Sequence, residues 1–141
     1  MDCVFCRIVA GTAPGSIAYA DGTAVAFLDI APINPGHLLV VPRTHVGSLA
    51  ELNPDTGAHL WRVGQRMAAA LRRSTIRCEG VNFFVADGVA AFQEVPHLHL
   101  HVIPRNPKDG LRFWLGPRQR YDAEHPEEEY AEKIRAALPP A

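Results

Sequence analysis

The chain of 141 residues has few cysteines, no long apolar run and almost no net charge. The formal charge is −1, so no overall basic field draws the protein to a nucleic-acid backbone, and we expect no nucleic acid among its partners. No apolar stretch approaches the roughly 20 residues that a membrane helix needs, so we expect no membrane insertion. The first residues, MDCVFCRIVAG, lack the basic and apolar regions of a signal peptide, which favours a cytoplasmic location.

The 3 cysteines are an odd number, which argues against a disulfide framework. In a reducing compartment Cys3 and Cys6, spaced as Cys-x-x-Cys, are better interpreted as thiolate ligands of a metal. Two thiolates make half of a zinc site, and His45 and His97 are candidates to complete it. The alternative, that Cys3 lies in a frayed terminus without a role, stays open. Cys78 has no partner in the sequence and is interpreted as a plain thiol.

Four apolar runs predict strands, at 23–30, 37–41, 81–86 and 97–103. The run at 37–41 (HLLVV) is continuous rather than alternating, which predicts a central strand buried on both faces. Pro104 is expected to end the last strand.

Two helices are predicted from their start signals. Asn53 is a good N-cap with Pro54 at the first helical position, and the helical pattern continues to Arg73. A C-terminal helix is expected to begin near Pro126, with three glutamates in its first turn.

Strands, one long helix and further strands with short connections predict an α+β fold. We expect an antiparallel sheet with the long helix packed on it and a C-terminal helix. A parallel sheet would need a crossover helix between each pair of strands, and only one long internal helix is predicted. The length suits a single domain over 1–141, with a core at about 3–105 and a C-terminal extension at 106–141. That extension could reach a second subunit, and Trp114 within it could sit at such a contact.

The most informative segment is His97-Leu98-His99-Leu100-His101. Residues two apart on a strand point to the same face, so the three imidazoles share one face while the leucines face the core. A solvated strand face is one interpretation. A metal site is another, but three histidines on a straight strand span about 13 Å, too far for one tetrahedral ion. The third is nucleophilic catalysis, in which a neutral imidazole attacks phosphorus while its neighbours hold the phosphoryl oxygens.

Residues 97–103 also match the pattern His-φ-His-φ-His-φ-φ, with φ apolar, of the histidine-triad (HIT) family. The segment 26–42 (AFLDIAPINPGHLLVVP), the turn at 87–88 and Gln93 resemble further landmarks of that family. The resemblance covers residues 3–105. It implies an α+β HIT-like fold, usually a homodimer, and a hydrolase or transferase that acts at a nucleotide α-phosphate.

The resemblance also implies roles for individual residues. His99, the middle histidine, would form a nucleotidyl-enzyme intermediate, and His101 would contact the phosphate and assist the leaving group. His37 would support the histidine cluster, Gln93 would contact the transferred phosphate, and Asp29 would bind the ribose hydroxyls.

Bacterial-type members of the family with an N-terminal Cys-x-x-Cys resemble this chain too. In those proteins zinc is held by the positions that match Cys3, Cys6, His45 and His97. The resemblance therefore implies a structural zinc that fastens the N-terminus to the active strand and does not act as the Lewis acid.

Three residues depart from the family pattern. Ala86 stands where a polar residue often faces the nucleotide, and Phe92 replaces a common glycine. Glu94 stands where some branches have Ser or Thr, and its carboxylate would disfavour a polyphosphate leaving group and favour an amine.

The sequence thus predicts cleavage at the α-phosphate of a purine nucleotide, with a nucleoside phosphoramidate or an acyl-nucleotide as substrate. A dinucleoside polyphosphate hydrolase is one alternative. A nucleotide-binding or protein-interaction module without catalysis is the other.

Overall fold

A computed structural model describes residues 2–111 and 117–141. The chain divides into two compact units, residues 1–111 and residues 112–141. The predicted single domain over the whole chain therefore stays a prediction. Trp114, for which packing and a subunit contact are both open interpretations, lies outside the described residues.

The first unit is built on a five-stranded antiparallel sheet in the order β1-β2-β3-β5-β4. The strands are β1 (Ile17–Ala20), β2 (Ala24–Leu28), β3 (Leu38–Pro42), β4 (Gly80–Phe84) and β5 (Leu100–Arg105). This sheet with its packed helix confirms the predicted α+β fold. All five residues of β3 are buried, and β3 lies at the centre, as the continuous apolar run predicts.

Helix α2 (Pro54–Arg73) begins at the predicted cap. The Asn53 side chain accepts hydrogen bonds from the backbone N–H groups of Asp55 and Thr56, which otherwise have no partner within the helix. Its buried face packs on one side of the sheet and consists of Leu60, Val63, Gly64, Met67 and Leu71. A Cβ at Gly64 would lie 2.9 Å from Leu100 Cδ2, so glycine permits the close approach of this helix to β5.

The short helix α1 (Val4–Ala10) covers the other side of the sheet. Phe5 and Ile8 are buried with Val25, Leu39 and Val41 of the two neighbouring strands. Neither α1 nor β1 is predicted from the sequence. Since α1 and α2 cover opposite faces, the central strands lose contact with solvent on both sides.

The prediction of the last strand, at 97–103, is wrong at both ends. Strand β5 begins at Leu100 rather than at His97, because the N–H of Leu98 donates to Val46 O instead of to a strand of the sheet. It continues through Pro104, which pairs with Val81 of β4, because a proline lacks only the N–H and its carbonyl still accepts. His97 and His99 therefore precede the strand, and only His101 lies in it.

The second unit contains helix α3 (Glu127–Ala137), which follows Pro126 as predicted and carries three glutamates in its first turn. None of the helices in the described ranges has the length and apolar character to cross a membrane.

Candidate active site and metal centre

Four side chains meet where α1 approaches the chain before β5. One ligand atom from each of Cys3, Cys6, His45 and His97 lies within 4.8 Å of all the others. Nδ1 of His97 is 3.5 Å from both sulfur atoms, and Nδ1 of His45 is 3.3 Å from Cys6 Sγ. The structure thus brings together all four residues that the sequence predicts as zinc ligands.

The geometry of this group suits zinc. In a tetrahedral site with ordinary Zn–S and Zn–N lengths, neighbouring sulfur and nitrogen ligands are about 3.6 Å apart, close to the separations seen here. Nε2 of His97 is 2.9 Å from Pro42 O, and since a carbonyl only accepts, this nitrogen carries the proton. Nδ1 then presents its lone pair to the thiols, which is the usual arrangement of a metal-ligating histidine.

His99 lies next to this group and is held by the backbone. Its Nδ1 is 2.7 Å from His97 O, so Nδ1 must donate and Nε2 keeps a free lone pair when the ring is neutral. The side chain is 7% exposed, and burial lowers its pKa below the ordinary value. His99 is therefore a neutral imidazole near pH 7, with its proton on Nδ1 and an unprotonated Nε2.

His37 and His101 form a second ordered pair. The N–H of Ile33 donates to His37 Nδ1 at 3.1 Å, so the proton of a neutral His37 resides on Nε2. That Nε2 lies 2.9 Å from His101 Nδ1, which must accept, and a neutral His101 then carries its proton on Nε2. Burial, followed by the nearby His99 and His37, lowers the pKa of His101 to about 4. His101 is thus a neutral ring with one N–H left to donate.

Asp29 lies beside this pair, with Oδ2 3.7 Å from His37 Nε2. Its other oxygen accepts from the N–H of Ala31. Asp29, His37 and His101 are close enough to surround a metal ion. The proton on His37 Nε2 occupies the position that a metal would need, so this second group fits a hydrogen-bonded cluster better than a metal site.

Gln93 is placed in the loop before the histidines, where its amide contacts backbone groups. Oε1 accepts from Gly88 N at 2.8 Å, and Nε2 donates to Gly47 O at 2.8 Å and to Val95 O at 3.2 Å. The predicted contact between Gln93 and a phosphate stays a prediction, and it would replace one of these bonds.

The three departures from the family pattern lie in different environments. Ala86 is 4% exposed, whereas Phe92 is 80% exposed. Phe92 also adopts a φ of 67°, a left-handed conformation that a bulky residue rarely takes. Glu94 is exposed.

Comparison with known proteins agrees with the fold and the histidine cluster. The sequence profile of the HIT domain matches residues 10–108. The chain belongs to the HIT-domain family. An HIT-like protein of Mycobacterium tuberculosis is 42% identical over 122 residues, which cover 86% of this chain and 84% of that protein. The adenosine 5′-monophosphoramidase of Schizosaccharomyces pombe is 36% identical over 112 residues, which cover 79% of this chain and 80% of that protein.

Among HIT structures, the chain resembles a zinc-bound histidine triad family protein from Mycobacterium smegmatis. The two are 44% identical with a TM-score of 0.77, and the match covers 97% of this chain and 93% of the other. The family resemblance seen in the sequence is therefore confirmed.

Proposed function

We propose that this HIT protein cleaves a nucleoside phosphoramidate or an acyl-nucleotide of a purine at its α-phosphate, through a nucleotidyl-His99 intermediate. The observation that carries the proposal is the 2.7 Å contact between His99 Nδ1 and His97 O. It fixes the proton on Nδ1 and leaves the Nε2 lone pair for attack. The similarity to a phosphoramidase over most of both chains supports this substrate class.

The first half-reaction forms one bond and breaks one. His99 Nε2 attacks the α-phosphorus while the bond from phosphorus to the leaving nitrogen or oxygen breaks. An amine leaves readily only when its nitrogen is protonated, so the leaving nitrogen takes its proton from solvent, whereas a carboxylate leaves without one. As the bond breaks, the Nε2–H of His101 donates a hydrogen bond to the departing atom, and the proton stays on His101. Phosphorus ends bonded to His99, and the amine or the carboxylate departs.

The second half-reaction restores the protein. A water oxygen attacks phosphorus and the water releases its proton to solvent, while His101 keeps its Nε2–H and donates it as a hydrogen bond to a phosphoryl oxygen. The bond between phosphorus and His99 breaks, and the nucleoside monophosphate leaves. His37 holds His101 through the 2.9 Å contact in both steps.

We assign the remaining roles as the family resemblance implies. Asp29 binds the ribose hydroxyls, and one oxygen of its carboxylate is already fixed by the N–H of Ala31. Gln93 contacts the transferred phosphate. The ligands Cys3, Cys6, His45 and His97 hold a structural zinc, which binds α1 to the segment that carries His99.

We also propose that the protein works in the cytoplasm, since free thiols as ligands need a reducing compartment. The homodimer is proposed separately, as the family resemblance implies. The rival functions are a dinucleoside polyphosphate hydrolase and a nucleotide-binding module without turnover. Release of AMP from adenosine 5′-phosphoramidate and from diadenosine polyphosphates separates the three. Faster release from the phosphoramidate supports the proposal, faster release from the polyphosphates favours the first rival, and binding of AMP without turnover favours the second.

A further inference from the structure

A cluster of polar side chains joins the turn before His37 to the end of the strand that carries His101, and the chemistry described above does not use it. We call it the Asn34 cluster; its members are Asn34, Asn82, Arg105, Asn106 and Asp109. The cluster joins the turn before β3 to the end of β5 and to the loop at 106–111.

Asn34 is the member of the cluster that lies in the turn immediately before His37. Its side-chain NH₂ has two hydrogens, and it donates to Pro104 O at 2.9 Å and to Asp109 Oδ2 at 3.0 Å. Its backbone carbonyl accepts from the N–H of His37 at 3.1 Å. Through these bonds Asn34 ties the turn that precedes His37 to the strand that carries His101.

Asp109 is a fixed anchor for Asn34. The Arg105 side chain binds its carboxylate with two nitrogens, at 2.7 and 3.0 Å, and the backbone N–H groups of Asn106 and Leu111 donate to it at 3.1 Å. The Asp109 side chain is only 8% exposed. A carboxylate held by several donors and shielded from water keeps its position, so the Asn34 amide has a rigid acceptor.

The turn held by Asn34 presents the group that orders the histidines. Ile33 immediately precedes Asn34, and its N–H donates to His37 Nδ1. This bond places the His37 proton on Nε2, and the His37 proton in turn places that of His101 on Nε2. If the turn shifted, His37 could take the other tautomer, and His101 would then lose the N–H that faces the leaving group.

We propose that Asn34 is a positioning residue that fixes the tautomers of His37 and His101 through the N–H of Ile33. The proposal rests on the proposed function, because it assigns to Asn34 the orientation of the N–H by which His101 donates a hydrogen bond to the departing group in that reaction. The side-chain bonds of Asn34 go to Pro104 O and to Asp109, so its proposed role is positioning rather than catalytic.

The test compares Asn34→Ala with wild type as the full-length, zinc-loaded protein. Long-range ¹H–¹⁵N correlation spectra show which ring nitrogens of His37 and His101 carry protons. We expect Nε2–H on both rings in wild type and a mixture of tautomers in the variant. With adenosine 5′-phosphoramidate as substrate, we expect kcat to fall about tenfold while KM stays within twofold.

Asn106→Ala is the matched control. The Asn106 side chain belongs to the same cluster, but it bonds to Arg77 O and to the N–H of Glu79, away from the turn. We expect this control to keep the wild-type tautomers and kcat. If Asn34→Ala does not fold, Asn34→Ser, which retains one donor, replaces it, with a smaller change expected in the same direction.

Unchanged tautomers in a folded Asn34 variant would overturn the proposal, whatever happens to the rate. Mixed tautomers in Asn106→Ala as well would also overturn it, since the effect would then be general loosening. If the wild type turned over no nucleotide, the proposed function would be wrong. The spectra would still show whether Asn34 fixes the tautomers of His37 and His101.

Discussion

The ring of Phe5 meets the imidazole of His99 edge-on, with centroids 5.1 Å apart and planes at 90°. Phe5 lies between Cys3 and Cys6 in the sequence and is 7% exposed. The segment 3–6, which brings two thiols to the proposed zinc site, therefore also places an apolar ring against His99, the proposed nucleophile. The proposed zinc ligands and the proposed catalytic histidine thus belong to one packed structure.

Removing this cover tests that relationship. Phe5→Ala deletes a buried ring that packs on Phe27 and on two histidines, so we expect a loss of about 3 kcal/mol in the free energy of unfolding. Val4 on the same helix is 41% exposed, and Val4→Ala is the matched control, with a change below about 0.5 kcal/mol. Urea denaturation of zinc-loaded protein measures both. Equal losses for the two variants would contradict the packing described here.

Zinc removal is expected to destabilise the protein without abolishing its fold, because the sheet and α2 form a core of their own. With free zinc 1,000-fold above its Kd, the stabilisation is about 4 kcal/mol. Thermal unfolding before and after chelation measures it, with the zinc content determined for each sample. Cys78→Ser leaves the proposed ligands intact and should show the same response to the chelator as wild type. No change on chelation would mean that zinc does not hold α1.

The pKa of His101 predicts how stability depends on pH. A group whose pKa is about 4 in the folded protein and about 6.5 in the unfolded chain binds more protons when unfolded between these values. The free energy of unfolding therefore falls as the pH drops from 6.5 to 4, by about 3 kcal/mol from this group alone.

His101→Asn removes that titration and should lose less stability over the same range. Urea denaturation at several pH values gives the difference between the two proteins. A pH dependence as steep in the variant as in wild type would show that His101 is not the group responsible.

Much of the fold can be predicted from local sequence signals. The packing of Phe5 on His99 and the bonds that hold the turn before His37 cannot. Asn53 and Pro54 predict the start of α2, because helix capping and the fixed φ of proline act within a few residues. The two-residue spacing keeps His97, His99 and His101 near one another, although only His101 lies within β5.

Other features depend on contacts between distant residues. Helix α1 has only 7 residues, too few for a clear periodic pattern, and packing of Phe5 stabilises it. The start of β5 depends on the bond from Leu98 N to Val46 O, which joins segments far apart in the sequence. The proposed roles of Ile33 and Asn34 depend on the bonds that the folded turn makes to His37, Pro104 and Asp109. The residue types in the sequence do not reveal these bonds.

Glu94 is expected to set the preference for the leaving group. Its carboxylate is exposed, and near the departing group it would repel a polyphosphate and attract an amine. Glu94→Ser should shift the ratio of kcat/KM for adenosine 5′-phosphoramidate and diadenosine polyphosphate toward the polyphosphate by about tenfold. Glu79→Ser, also at an exposed carboxylate, is the control and should leave the ratio unchanged. An unaltered ratio in the Glu94 variant would remove this residue from the specificity argument.

The covalent intermediate is the central claim, and rapid acid-free quenching followed by mass spectrometry of peptides tests it most directly. Wild-type protein mixed with adenosine 5′-phosphoramidate should carry an AMP adduct on His99. His99→Ala should carry none and should release AMP at least about 1,000-fold more slowly. Full turnover in His99→Ala, or an adduct on another residue, would contradict the assignment of His99 as the nucleophile.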